Sequence, residues 1–391
     1  MVMTMKNKIF TLFLFVIVLI NINIVYAEED FNAEDVIRSQ FEKIDFSDIN
    51  VEMQKINEKY KLPELSPQSI WEMFKGGNEA SFNSVIETIK NYFFKEIKQQ
   101  LLVFTRIFIL TLLAVLIIKI QEAFNSKVSD IVFKIIYLTL MAFIIQSLSI
   151  GLKTAADAIN YMINFMLVLW PVLITLMVSL GHVVSSTLFD PLLVGGSQFV
   201  SQAINFTVLP LFFTSGILQV VDYLSEEISI SKLAKLVRNF GAFILGICFT
   251  VFSGITILRG TAGSVADGVA LRTGKFLTKG FLPVIGSMLS DAFDTILGCT
   301  LVVKNAVGIF GLLTLFFICT LPALKLIVMI FMYKIAGAFL QPIDNNRISP
   351  LMFSVSGVLT YIMAAILAVG VMLFITLTII LISGNATVMF R

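Results

Sequence analysis

Eight ionisable side chains lie close together in otherwise apolar sequence: Arg259, Asp267, Arg272, Lys275, Lys279, Asp291, Asp294 and Lys304. Charges beside membrane-type sequence are costly and are kept where they serve a path, a pairing or a partner. Asp291 and Asp294 are three positions apart, so a helix sets both carboxylates on one face. Such a pair can hold a proton, bind a cation, or pair with Arg272, Lys275 or Lys304. Lys304 lies close to three turns beyond Asp294, too far to meet it within one straight helix. A partner must then come from a fold-back of the chain or from another subunit. Asn305 adds an amide beside Lys304. Structural ion pairing, a pore or transport path, and partner contact all remain open readings of these residues.

The stretch that carries them, 253–311, is rich in glycine and opens and closes in apolar sequence. Non-helical backbone at membrane depth survives only when covered by protein or facing a water-filled cavity. The segment is therefore expected to line or plug the centre of a helical membrane bundle.

The chain is 57% hydrophobic and only 14% charged, far from the roughly one-quarter charged composition of soluble domains. This is the composition of an all-α, polytopic membrane protein. Gly274-Lys275 is followed by Phe276, and the upstream glycine spacing does not fit a phosphate-binding GxxxxGK[ST] loop. No GxSxG or HExxH occurs. Cys248, Cys299 and Cys319 all lie in apolar sequence and read as buried thiols, and His182 is the single histidine. We expect no enzyme, no cofactor, no metal and no nucleic-acid partner.

Three regions follow. Residues 1–27 have the form of a signal peptide: Lys6 and Lys8, an apolar run from Ile9 to Ile20, and Val25-Tyr26-Ala27 before a cleavage point. Residues 28–100 are acidic, lack cysteine, and read as an extracytoplasmic helical region. One helix is expected from Pro67, capped by Ser66, to Gly76-Gly77, and a second from Ala80 with Val85, Ile89, Tyr92, Phe93 and Ile97 at helical spacing. Residues 101–391 form a multi-pass domain. Runs of spanning length fall near 101–120, 131–150, 159–180, 199–221, 240–258, 281–303, 308–333 and 351–382, giving about seven or eight spans.

Counting from an exported Glu28 puts Lys119, Lys127, Lys134, and the run Arg259 to Lys279, on the cytoplasmic side, as the positive-inside rule asks. Lys232, Lys235 and Arg238 then fall outside, against the rule. Their spacing, with Leu233, Leu236, Val237 and Phe240 on one stripe, fits an amphipathic helix lying along the headgroups. An internal repeat is also suggested. Trp170-Pro171-Val172 matches Leu282-Pro283-Val284, and Leu209-Pro210 matches Leu321-Pro322, by the same offset of 112 positions. Three spans per copy would invert the second copy.

The central motifs resemble the stage III sporulation protein AE family. They are Ala266-Asp267-Gly268-Val269-Ala270-Leu271-Arg272-Thr273 with Lys275-Phe276, Pro283-Val284-Ile285-Gly286, Leu289-Ser290-Asp291-Ala292, Leu297-Gly298-Cys299 and Val303-Lys304-Asn305-Ala306-Val307-Gly308. Gln341-Pro342-Ile343 and Ser229-Ile230-Ser231-Lys232-Leu233 fit as well. The resemblance implies a multi-pass component, similar to an export platform, of the channel complex that links mother cell and forespore and sustains late forespore development. It implies a place in the mother-cell membrane around the forespore. Its implied partners are other stage III membrane and ring subunits, a cytoplasmic secretion-type ATPase, and a forespore membrane protein across the intermembrane space. Two readings stand beside it: a self-contained secondary transporter, and a structural membrane scaffold.

Overall fold

A computed structural model describes residues 33–60, 66, 90–101, 105–106, 108–113, 116, 127–182, 186–187, 190–223, 230–281, 285–342 and 348–389. Of these, 33, 127–134, 136, 259–281, 285–295 and 383–389 are described by backbone alone. The signal segment 1–27 and the expected helix from Pro67 to Gly77 lie outside the described residues. The described elements are α1 (Ala33–Lys43), α2 (Ser47–Tyr60), α3 (Lys127–Ser179), α4 (Asp190–Ala203), a π-helical turn (Ile204–Val208), α5 (Leu209–Asp222), α6 (Ser231–Phe281), α7 (Ile285–Leu340) and α8 (Ile348–Met389). Residues 90–101 and 108–113 are also helical. Five helical stretches are long and apolar enough to cross a membrane: Tyr137–Ser179, Asp190–Asp222, Ser231–Leu258, Ile296–Leu340 and Ile348–Ile382.

The span pattern read from sequence changes in two places. The runs 131–150 and 159–180 lie on one unbroken helix, α3, of 53 residues. The runs 281–303 and 308–333 lie largely on α7, of 56 residues. The joining residues explain this: Lys153 to Ala158 and Lys304 to Val307 include no glycine or proline, and alanine and lysine favour helix. Glycine does not stop the central segment either, since 253–281 and 285–311 are helical. Lys232, Lys235 and Arg238 form the opening turns of α6 and run straight into its apolar stretch. They do not make a separate helix along the headgroups, because nothing between Arg238 and Phe243 breaks the ladder.

The prolines of the suggested repeat occupy unlike settings. Pro171 and Pro322 lie inside α3 and α7. Pro210 stands at the start of α5, after the π-helical turn. Pro283 falls between the end of α6 and the start of α7. The shared offset therefore pairs an interior proline with one between helices, and a helix-start proline with an interior one.

The core is one cluster running the length of the bundle. α7 and α8 pack most closely, and glycine sets the approach. A Cβ on Gly308 would collide with the Leu381 side chain, and one on Gly370 with Cys319 Sγ. α3 lies antiparallel to α7, with Phe165 edge-on to Phe310 at 5.9 Å between centroids, and Gly151 meets Leu326 and Leu359.

α1 and α2 form a short hairpin on this bundle. Each has acid in its first turn, Glu34 and Asp35 in α1 and Asp48 in α2, and a lysine in its last, matching the helix dipole. Asp45 Oδ1 accepts from the Ser47 amide at 2.9 Å and so braces the start of α2. The Ser47 hydroxyl and amide hold the Asp45 carboxyl below the usual carboxylate range. Ile37, Phe41, Phe46, Ile49, Ile56 and Tyr60 are buried in the common core. Gln40 Nε2 donates to Thr300 Oγ1 at 3.1 Å, and Lys59 Nζ donates to Asp157 Oδ2 at 2.7 Å. The apolar face of the α1–α2 hairpin is thus used against its own chain.

Candidate buried charge site

Lys304, the one of the eight charges whose side chain is among the described residues, is taken inside. Val303, Lys304, Ala306, Val307 and Gly308 are buried on α7, and the lysine is fully so. Its Nζ donates to the Leu381 carbonyl of α8 at 2.8 Å. That reach requires α8 close by, and the missing side chain at Gly308, one turn on, lets Leu381 approach. Asp190, the first residue of α4 and 1% exposed, is the acid within electrostatic reach of the ammonium. A buried ion costs several kcal/mol unless paired and hydrogen-bonded; the Leu381 carbonyl and the Asp190 charge offset part of that cost.

The turn before Asp190 is shaped by sequence. Gly181 adopts a left-handed φ of 84°, which glycine accepts without strain and which ends α3. The Gly181 amide donates to the Val178 carbonyl at 2.9 Å, and that of His182 donates to the Met177 carbonyl at 3.0 Å. His182 and Ser186 are buried, and the Ser186 hydroxyl donates to the His182 carbonyl. Polar groups continue along α4 with the buried Ser197 and Ser201. At the π-helical turn Asn205 Nδ2 donates to Asn160 Oδ1 of α3 at 2.8 Å. π-turns inside helices recur at functional sites.

This arrangement can hold a proton in two positions, or pin α4, α7 and α8 together. It has no nucleophile paired with a base among the described residues. Asp190 escaped the sequence reading because it stands far from the charged stretch, at Phe189-Asp190-Pro191. A carboxylate followed by proline at a helix start was the available signal.

The other singled-out residues are placed as follows. Asp267, Arg272 and Lys275 lie on α6, and Asp291 and Asp294 on the first turns of α7, with side chains outside the described ones. Asn305 is half-buried beside Lys304. Lys232 and Lys235 are exposed. Arg238 is half-buried, with its guanidinium over the Tyr361 ring at 5.3 Å from the centroid. Cys248 and Cys299 are buried and Cys319 half-buried, all three as free thiols.

Residues 65–384 match the family described as Stage III sporulation protein AE (spore_III_AE). The chain is 34% identical over 331 residues to Stage III sporulation protein AE of Bacillus subtilis (strain 168), covering 84% of this chain and 83% of that protein. No solved structure matches it.

Proposed function

We propose a function from one premise: the chain belongs to the Stage III sporulation protein AE family. A sporulation membrane component fits that family and the apolar helices. Beyond this, the protein acts in the mother-cell membrane as the export-platform-like part of the channel complex joining mother cell and forespore. It is not an enzyme. Its partners are stage III membrane and ring subunits, a secretion-type ATPase in the cytoplasm and a forespore membrane protein. The family match, which covers residues 65–384, carries this reading. The decisive test uses the spore-forming host. Deleting the gene should leave vegetative growth unchanged and arrest forespore development, and tagged protein from sporulating cells should retain the ATPase and ring subunits. Retention of neither would remove the channel reading.

One observation favours a second reading. Lys304 and Asp190 form a buried charge site between apolar helices, as coupled transporters use. Purified protein in vesicles that moves a solute alone would establish a self-contained transporter instead.

A further inference from the structure

The apolar helices are too long for one bilayer. Tyr137–Ser179 and Ile296–Leu340 have 43 and 45 residues, about 65 Å each at 1.5 Å per residue, against a hydrocarbon core of about 30 Å. Helix tilts do not absorb a factor of two.

A level of positive charge divides the bundle. Leu326 and Leu359 meet at Gly151. Lys153 and Lys325 stand within a turn of that junction, and Arg238 lies over Tyr361, close to Leu359. The lower tier runs from this level to the Lys127 end of α3. The stretch from Lys134 to Lys153 is about 28 Å of helix, close to a hydrocarbon core. Helical residues 108–113 reach this tier, where Phe108 meets Phe339. Leu138, Phe331, Phe339 and Phe353 are exposed there. Lys232 opens α6 and Lys334 lies near the end of α7, and their long stems let the ammonium groups reach the nearer headgroups.

The upper tier carries the α1–α2 hairpin. Its anchors, Lys59 on Asp157 and Gln40 on Thr300, stand about 27 Å apart along the bundle, given the Phe165–Phe310 register. The outward face of the hairpin exposes Glu34, Arg38, Glu42, Lys55 and Glu58. Lipid does not accept such a face. At the same height α6 shows a different face. Gly241 packs on Phe212 next to the dividing level and Ile255 on Gly196 above it, with the Asn205–Asn160 contact between them. Phe243, Ile247, Val251, Ile257 and Leu258 are exposed along it. The apolar stretch of α6 is only 17% buried, against 44% to 56% in the other four.

We propose that the bilayer takes only the lower tier, that the upper tier stands in the aqueous space beyond it, and that the bare α6 stripe there is closed by the same stripe of a second copy of this chain. An apolar strip of this length outside lipid needs a protein cover. From Asn239 to Leu258 it holds no charge, so an identical stripe meets it in a two-fold pairing without leaving an ion unpaired. Because α3 is one helix and crosses once, the far end of α6 comes to lie on the hairpin side. Arg272 to Lys279 then face the outside, in place of the cytoplasmic position expected from eight separate runs.

The test uses full-length protein without native cysteines, reconstituted in liposomes. Spin labels at Leu138, Val251 and Gln54 are read for collision with oxygen, which enters lipid, and with a nickel chelate, which stays in water. Leu138 should report oxygen, Gln54 nickel, and Val251 low contact with both. Val251→Cys protein should form a disulfide-linked dimer on oxidation, and Val251→Lys should insert normally yet lose dimer on chemical crosslinking. Cysteines at Ser66 and Thr273 should label from the same side. High oxygen contact at Val251 would place the stripe in lipid and overturn the inference. High nickel contact there with no dimer would overturn the paired stripe, and labelling of Ser66 and Thr273 from opposite sides would overturn the two tiers.

Discussion

The Lys304 ammonium ends on the carbonyl of Leu381, 77 residues further along the chain, at 2.8 Å. This bond ties α7 to α8 at the point where Asp190 of α4 also acts. Three elements are held by one buried cation.

Removing one member of this site should be worse than removing both. Lys304→Met leaves Asp190 without its cation, and Asp190→Leu leaves Lys304 without its acid. Each single change should cost about 3–5 kcal/mol, while the double variant regains most of the loss. Thermal unfolding in detergent measures this. Sporulation of the double variant separates roles: recovery of both stability and spores makes the pair a structural pin, whereas recovery of stability alone makes it functional.

Gly308 and Gly298 should respond in opposite directions to alanine. A methyl at Gly308 collides with Leu381, whereas nothing lies within 4 Å of one at Gly298. Gly308→Ala should destabilise by about 1–3 kcal/mol. Gly298→Ala should be neutral or stabilising by up to about 1 kcal/mol, since alanine favours helix. Equal melting temperatures for the two variants would contradict the close α7–α8 approach.

The hairpin should release in alkali. Burial first, and then the charges of Tyr92, Tyr161 and Asp157, raise the Tyr60 hydroxyl above its ordinary value. The unfolded value is about 10. The stability given by the neutral phenol is complete below about pH 10 and is lost as pH rises toward the folded value. A label pair at Lys55 and Lys153 should therefore lengthen its distance above about pH 10, and Tyr60→Phe should delay the change. An unchanged profile in Tyr60→Phe would assign the release to another group.

Apolar contacts should outweigh the ion pair at the same junction. Lys59 and Asp157 are about one-third exposed, so Lys59→Ala should cost at most about 1 kcal/mol. Ile56 is fully buried, and Ile56→Ala should cost about 2–5 kcal/mol. Hydrogen exchange across α2 reads both.

Sequence legibility followed the physics of each feature. Apolar runs announced membrane helices, because hydropathy is local. Their joining was less visible: the apolar run breaks at Gly151 and Lys153, yet a buried glycine and helix-favouring neighbours carry α3 through. The family motifs pointed to Lys304, and burial gave it its place. Asp190 stayed hidden because the contact depends on how α4 folds back, which no spacing encodes. The hairpin helices carry apolar residues at helical spacing, Ile37 with Phe41 and Ile49 with Ile56, but their surface on α3 and α7 exists only once the bundle forms.

The unbroken course of α7 has a mechanical consequence. From Ile285 to Leu340 it is a single rod of 56 residues, about 84 Å long. Pro322 is the one interior residue without an amide to give the ladder. Held at one end, such a rod turned by about 5° carries its other end through roughly 7 Å, the scale of a one-turn shift between packed helices. A push delivered near the start of α7 therefore reaches the opposite end as displacement, with Pro322 setting where the lever bends.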